Sequence, residues 1–162
     1  MSKLGDALKP GLGALLAFAV VQQVGVVLAD HGLKCVCPPT GALAVLLFLM
    51  PGAPASQPKC VVLAHVLAAA AASLCVDYYP AALAELVPPT SGAVVLAIVA
   101  MKAFGAVHPP AAAYAFLFAM QKMPPIMIVK GPGLLGALVL LAVQQGAYLP
   151  ALKALEAKGK TA

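Results

Sequence analysis

The sequence predicts an all-α membrane protein built from two related repeats, each a long helix, a short half-helix and a long helix. Three observations carry this. Only 9% of the 162 residues are charged, where an ordinary soluble domain has about 25%, while 63% are hydrophobic and mean hydropathy is +1.01. Such a surface would aggregate in water, so the bilayer is the expected solvent. The apolar stretches are bounded by Pro, Gly and isolated charges, and a short run led by Pro-Pro occurs twice.

The first span is expected over 11–29, where no residue is charged, close to the roughly 20 residues that cross a hydrocarbon core. A signal peptide is the competing reading, because Lys3 and Lys9 precede the run and Val27-Leu28-Ala29 has small-residue cleavage character. Against it, Gly13 to Gln23 recurs at the far end, one residue shorter, as Gly136 to Gln145. A first half-helix is expected over 40–50, opened by Pro38-Pro39-Thr40-Gly41 and stopped at Pro51. Residues 51–58 hold three prolines and cannot be regular helix, so their backbone must be buried against protein or wetted. The second span, 61–76, is alanine-rich and carries His65; small side chains there suit close helix packing.

Asp77 to Thr90 reads as an aqueous loop, followed by a span over 92–107 that contains Lys102. His108-Pro109-Pro110 opens the second half-helix, 109–120, and the last span runs over 133–149 before a polar tail, 150–162. If each half-helix crosses fully with its extended companion, the repeats are inverted; if each is re-entrant, they are parallel. The distribution of loop lysines favours six crossings over four by the positive-inside rule.

Ten lysines with no arginine, scattered singly, give a net charge of +5 without a basic patch, which argues against a nucleic-acid partner. Cys35, Cys37, Cys60 and Cys75 lack the spacing of a metal site, and no nucleotide loop, nucleophile elbow or zinc-protease helix is present. Neither an enzyme nor a cofactor is expected.

The chemistry lies at the broken helices. Proline is favoured at the first helical position, so Pro39 and Pro110 mark helix starts inside the membrane. The first-turn N–H groups, notably those of Ala111 and Ala112 and their counterparts around Thr40 and Gly41, are expected to point at a ligand from the positive end of the helix dipole. His108 adds a titratable donor at the cap. His65, an ionisable group in an apolar span, is a functional candidate by default. The plainer alternatives are that both Pro-Pro pairs only set packing angles, that the histidines bond within the bundle, and that Gln22, Gln23, Gln144 and Gln145 bond between helices.

These residues resemble the HPP family of integral membrane proteins, whose motif stands here as His108-Pro109-Pro110. The resemblance is carried further by Gly41-Ala42-Leu43-Ala44-Val45-Leu46-Leu47-Phe48, then Pro51, Pro54, Gln57-Pro58-Lys59 and His65. The family's glycines and Ala-Thr after the prolines are replaced by Ala111-Ala112-Ala113-Tyr114, and Leu63-Ala64 replace glycines before His65. Alanine narrows any close backbone approach, and Tyr114 adds bulk.

The resemblance implies a small multi-span protein of a plastid or bacterial inner membrane, with nitrite transport attributed to some plastid and cyanobacterial members. It also adds Gln57 and Lys59 to the candidate site. The expected function is a permease for a small inorganic anion such as nitrite, held by His108, Pro109, Pro110, Ala111, Ala112, His65, Thr40, Gly41, Gln57 and Lys59. The alternative is a non-transporting structural subunit. The expected partners are the lipid bilayer, a small anion, and further subunits in a homo-oligomer or a larger membrane complex.

Overall fold

The structure, a computed structural model, describes residues 3–160, and these form helices and connections with no strand. Helix α1 (Lys3–Leu28) ends in a single 3-10 turn. A seven-residue connection, 32–38, leads to α2 (Pro39–Ala44), which widens into a π-helix at Val45–Leu49. Then come α3 (Pro58–Tyr78), the one-turn α4 (Ala81–Ala84), α5 (Pro89–Ala103), α6 (Pro109–Met120) and the one-turn α7 (Met127–Lys130). Helix α8 (Pro132–Val143) passes through a second π-helix, Gln144–Tyr148, into α9 (Leu149–Lys160). The expected polar tail is therefore helical as far as Lys160, and 161–162 lie outside the described residues.

Helices α2, α3, α5, α6 and α8 all begin on a proline, which loses no hydrogen bond at a first-turn position and fixes φ near the helical value. Among the described residues, three stretches are long and apolar enough to cross a membrane: Ala7–His31, Pro58–Tyr78 and Met127–Lys158. The span expected over 92–107 is corrected here. Its helix is α5, which starts three residues earlier and stops at Ala103; at 15 residues it extends only about 22 Å. The stop is a Schellman cap: Gly105 takes φ +64°, the Ala106 N–H donates to the Met101 carbonyl at 2.8 Å, and the Gly105 N–H donates to Lys102 at 3.2 Å.

Helix α6 ends in the same way, but with Lys122 in the left-handed position (φ +47°) and the Met123 N–H on the Phe118 carbonyl at 3.1 Å. A Cβ is disfavoured there and the lysine is exposed. Lys122→Gly is therefore expected to stabilise the protein by about 1 kcal/mol, read as a higher thermal midpoint in detergent.

Two cores result. One joins α3, α5 and α6 through fully buried small residues, Ala64, Ala68 and Ala72 facing Ala93 and Ala97, with Tyr114 and Phe118 filling the remainder. The other joins α1, α2 and α8 through Ala17, Val21, Leu43, Leu47, Phe48 and Leu140. They meet where α2 touches α6 and α3 touches α8.

The two π-helices lie against each other, and their contact answers how broken backbone is satisfied where water is scarce. Gln144 Nε2 donates to the Leu47 carbonyl at 2.6 Å, Tyr148 Oη to Phe48 at 3.1 Å, and Ser56 Oγ lies 2.9 Å from the Leu46 carbonyl and 2.8 Å from that of Met50. Gln144 is fully buried and also accepts from Gln145 Nε2. Gln144→Leu would orphan the Leu47 carbonyl, at an expected cost of about 2 kcal/mol. Thermal unfolding beside Gln145→Leu, which removes only the second bond, measures the difference.

Candidate functional site

Residues 104–108 carry the chain from the cap of α5 to the start of α6 and bring the HPP motif into the bundle. His108 is the N-cap residue of α6 with extended backbone (φ −142°, ψ 98°), and its side chain is turned inward with no exposed surface. The Nδ1 atom lies 2.7 Å from the Ala55 carbonyl, in the proline-rich segment that precedes α3. A carbonyl only accepts, so Nδ1 carries the proton in this bond. The other ring nitrogen, Nε2, is buried without any hydrogen-bond partner.

His65, 2% exposed on α3, repeats the arrangement. Its Nδ1 lies 2.8 Å from the Val61 carbonyl one turn earlier, which again assigns that proton. The two imidazoles have centroids 5.3 Å apart at 50°, and the Tyr114 ring lies 5.9 Å from His65. Tyr114 in turn fills the space left by Gly133 and reaches the Met127 carbonyl with its hydroxyl at 3.4 Å. Two histidines with both Nδ1 atoms committed to backbone, and the Nε2 of His108 buried without a partner, thus occupy the seam between α3 and α6.

The helix N-termini present fewer donors than expected. Pro109 and Pro110 have no N–H, and that of Ala111 donates to the His108 carbonyl at 3.0 Å. At α2 the N–H of Thr40 donates to Cys37 at 2.9 Å and that of Gly41 to Pro38 at 3.2 Å. These tight first turns close on themselves, so the N–H groups of Ala111, Thr40 and Gly41 are spent within the chain. Thr40 spends its buried Oγ1 accepting from the Cys37 N–H at 3.1 Å, and Gly41 is exposed toward the groove between α1 and α2.

Two open cavities flank the 104–108 connection. One of about 440 Å³ is lined by Ile98, Met101, Lys102, Val107, His108, Pro109 and Ala112. Lys102 is exposed in the last turn of α5, so this cavity places a cation on the same lining as His108. The smaller, about 220 Å³, is lined by residues that include Gln57, Lys59, Cys60 and Gly105. Cys60 Sγ lies 3.4 Å from the Val107 carbonyl and ties the start of α3 to the connection between the cavities. The predicted residues therefore fall into four places: His65, His108, Pro110 and Ala111 in the buried seam, Pro109 and Ala112 at the larger cavity, Gln57 and Lys59 at the smaller, and Thr40 and Gly41 on α2. The Ala55 and Val61 carbonyls, which orient both rings, were not singled out by the sequence; the need to bury the 51–58 backbone was the available signal.

Among the described residues no group of three or more His, Cys, Asp or Glu is placed to hold a metal ion. The model of one protein family, described as HPP, transmembrane region, matches residues 1–147 of this chain. No curated protein and no solved structure matches it.

Proposed function

From the premise that the chain belongs to the HPP family of transmembrane proteins, we propose that it is a permease for a small monovalent anion such as nitrite. The observation that carries the reading is the buried His108 Nε2 with no partner, 5.3 Å ring to ring from His65 at a helix start in the membrane. A buried polar atom without a partner is rare unless a ligand or water meets it. Neutral, Nε2 accepts a proton; protonated, it donates a charge-assisted hydrogen bond to an anion beside the positive end of the α6 dipole. Anion and proton meeting there leave the site with no net charge, which removes the main cost of holding an ion in a medium of low dielectric constant. Lys102 at the cavity mouth would raise the local anion concentration.

The two halves are read as inverted repeats that exchange α1–α2–α3 with α5–α6–α8. The helix partners fit a twofold exchange of the two halves, and the lysine distribution favours the inverted form: α1 with α8 exchanges with α3 with α5, and α2 with α8 exchanges with α3 with α6. The π-helical end of α2 on α1 exchanges with α6 on α5, while α2–α6 and α3–α8 map onto themselves. Repeats of this kind, with discontinuous helices meeting near the midplane, suit alternating exposure of a central site.

The test is uptake of nitrite, nitrate and chloride into proteoliposomes beside empty vesicles. Selective, saturable nitrite flux supports the permease. Folded, inserted protein with no flux above empty vesicles would overturn it and favour a structural subunit.

A further inference from the structure

Helix α1 is the least enclosed of the three long spans: 17% of its apolar window is buried, against 44% for each of the other two. Its exposed positions form one continuous stripe. Leu12, Leu15, Leu16, Ala19, Gln22, Gln23, Val26 and Val27 face outward, while Gly13, Ala17 and Val21 on the opposite side pack into the bundle. Leu12, Leu16, Ala19, Gln23 and Val26 follow one another at intervals of four, three, four and three residues, the spacing of a helix-pairing seam.

Two amides interrupt this apolar stripe at depth. The uncharged stretch runs from Pro10 to Ala29, so Gln22 and Gln23 lie about 4–5 Å along the axis from its centre, beyond easy reach of either interface. Among the described residues neither has a hydrogen bond to another part of the chain. Lipid offers them none, whereas glutamine side chains facing one another across two membrane helices satisfy both.

We propose that α1 is the interface of a homodimer, paired in parallel with α1 of a second copy about a twofold axis along the membrane normal. A second copy is the occupant that fits because a glutamine amide is self-complementary, carrying both donor and acceptor. A twofold axis sets each seam residue opposite its own counterpart at the same depth, so Gln23 meets its equivalent while Gln22, about 100° away on the helix, flanks the seam beside it. A polar pair within an apolar seam also fixes register, and Ala19, one turn away, allows the backbones to approach. This interface is remote in the fold from the histidine seam and is independent of what that seam binds.

The experiment is subunit association in liposomes at high lipid-to-protein ratio, by single-molecule photobleaching, for the full chain and a Gln22→Leu/Gln23→Leu double variant. The expected result is a dimer for the natural chain, at least a tenfold loss of dimer for the double variant, and an unchanged or higher thermal midpoint, since both changes face outward. Equal dimerisation of the two chains, or a natural chain that is monomeric, would overturn the proposal. Oxidative cross-linking supplies a second reading. Ala19→Cys should link two chains, while Val95→Cys, lipid-exposed on α5, should not; no link at 19, or equal linking at both, contradicts the interface.

Discussion

Gly136→Ala is expected to cost about 3 kcal/mol, a large share of the 5–15 kcal/mol that ordinarily holds a domain together. A Cβ on Gly136 of α8 would run into the carbonyl oxygen of Cys35, which belongs to the backbone and cannot swing aside like the end of a flexible side chain. Cys35 itself is buried in the α1–α2–α8 core, so moving its peptide would disturb three helices at once. Gly11→Ala is the matching control. Gly11 is also helical, its Cβ would meet nothing within 4 Å, and alanine is the better helix former by up to about 1 kcal/mol. The two glycine-to-alanine changes should therefore shift the thermal midpoint in opposite directions. A Gly136→Ala protein as stable as the natural chain would show that α8 does not approach the Cys35 peptide this closely.

The second large effect concerns His108. Its side chain does two jobs, holding the Ala55 carbonyl through Nδ1 and presenting Nε2 to the site. His108→Ala removes both and would leave a carbonyl unsatisfied, so lost flux in that variant would not distinguish misfolding from a missing site. Asparagine places an amide N–H near the position of Nδ1 and has nothing at Nε2. His108→Asn is expected to keep the unfolding free energy within about 1 kcal/mol of the natural protein while flux falls to the level of empty vesicles. Normal flux with His108→Asn would remove the ring nitrogen from the mechanism.

The fold was legible in the sequence wherever proline and hydropathy decide it. Pro39 opens α2 as the sequence indicates, and α6 opens one residue before Pro110, at Pro109. Pro58, Pro89 and Pro132 open α3, α5 and α8 for the same reason, a harmless missing N–H, although hydropathy alone places those starts one to three residues later. The end of α5 was less legible: Val107 and Ala106 continue the apolar run, yet Gly105 turns the chain into a left-handed cap four residues earlier than hydropathy suggests. The π-helices at Val45–Leu49 and Gln144–Tyr148 depend on each other across about a hundred residues, through Gln144 and Tyr148, and no local signal records such a pairing. At the site, sequence spacing found His108 and His65 but also credited the Ala111 and Thr40 N–H groups with freedom that their own first turns remove. Propensity indicates where a helix starts. Which neighbour takes each donor is settled only by tertiary geometry.

The pH dependence follows from the same ring. Protonated Nε2 donates to an anion and neutral Nε2 does not, so flux should rise as pH falls. Among the described residues the groups around it are these: His65 on α3 is the second ring, Tyr114 of α6 lies against His65, and Lys102 of α5 lines the outer cavity. With no carboxylate in that set, the acid-side rise belongs to the histidines.

The most direct measurement of the central claim is nitrite flux into proteoliposomes across a series of pH values, for the natural chain and His108→Asn in the same lipid. The account predicts flux that increases toward acid pH in the natural protein and an absent, pH-independent response in the variant. An identical pH profile in the two proteins would contradict it.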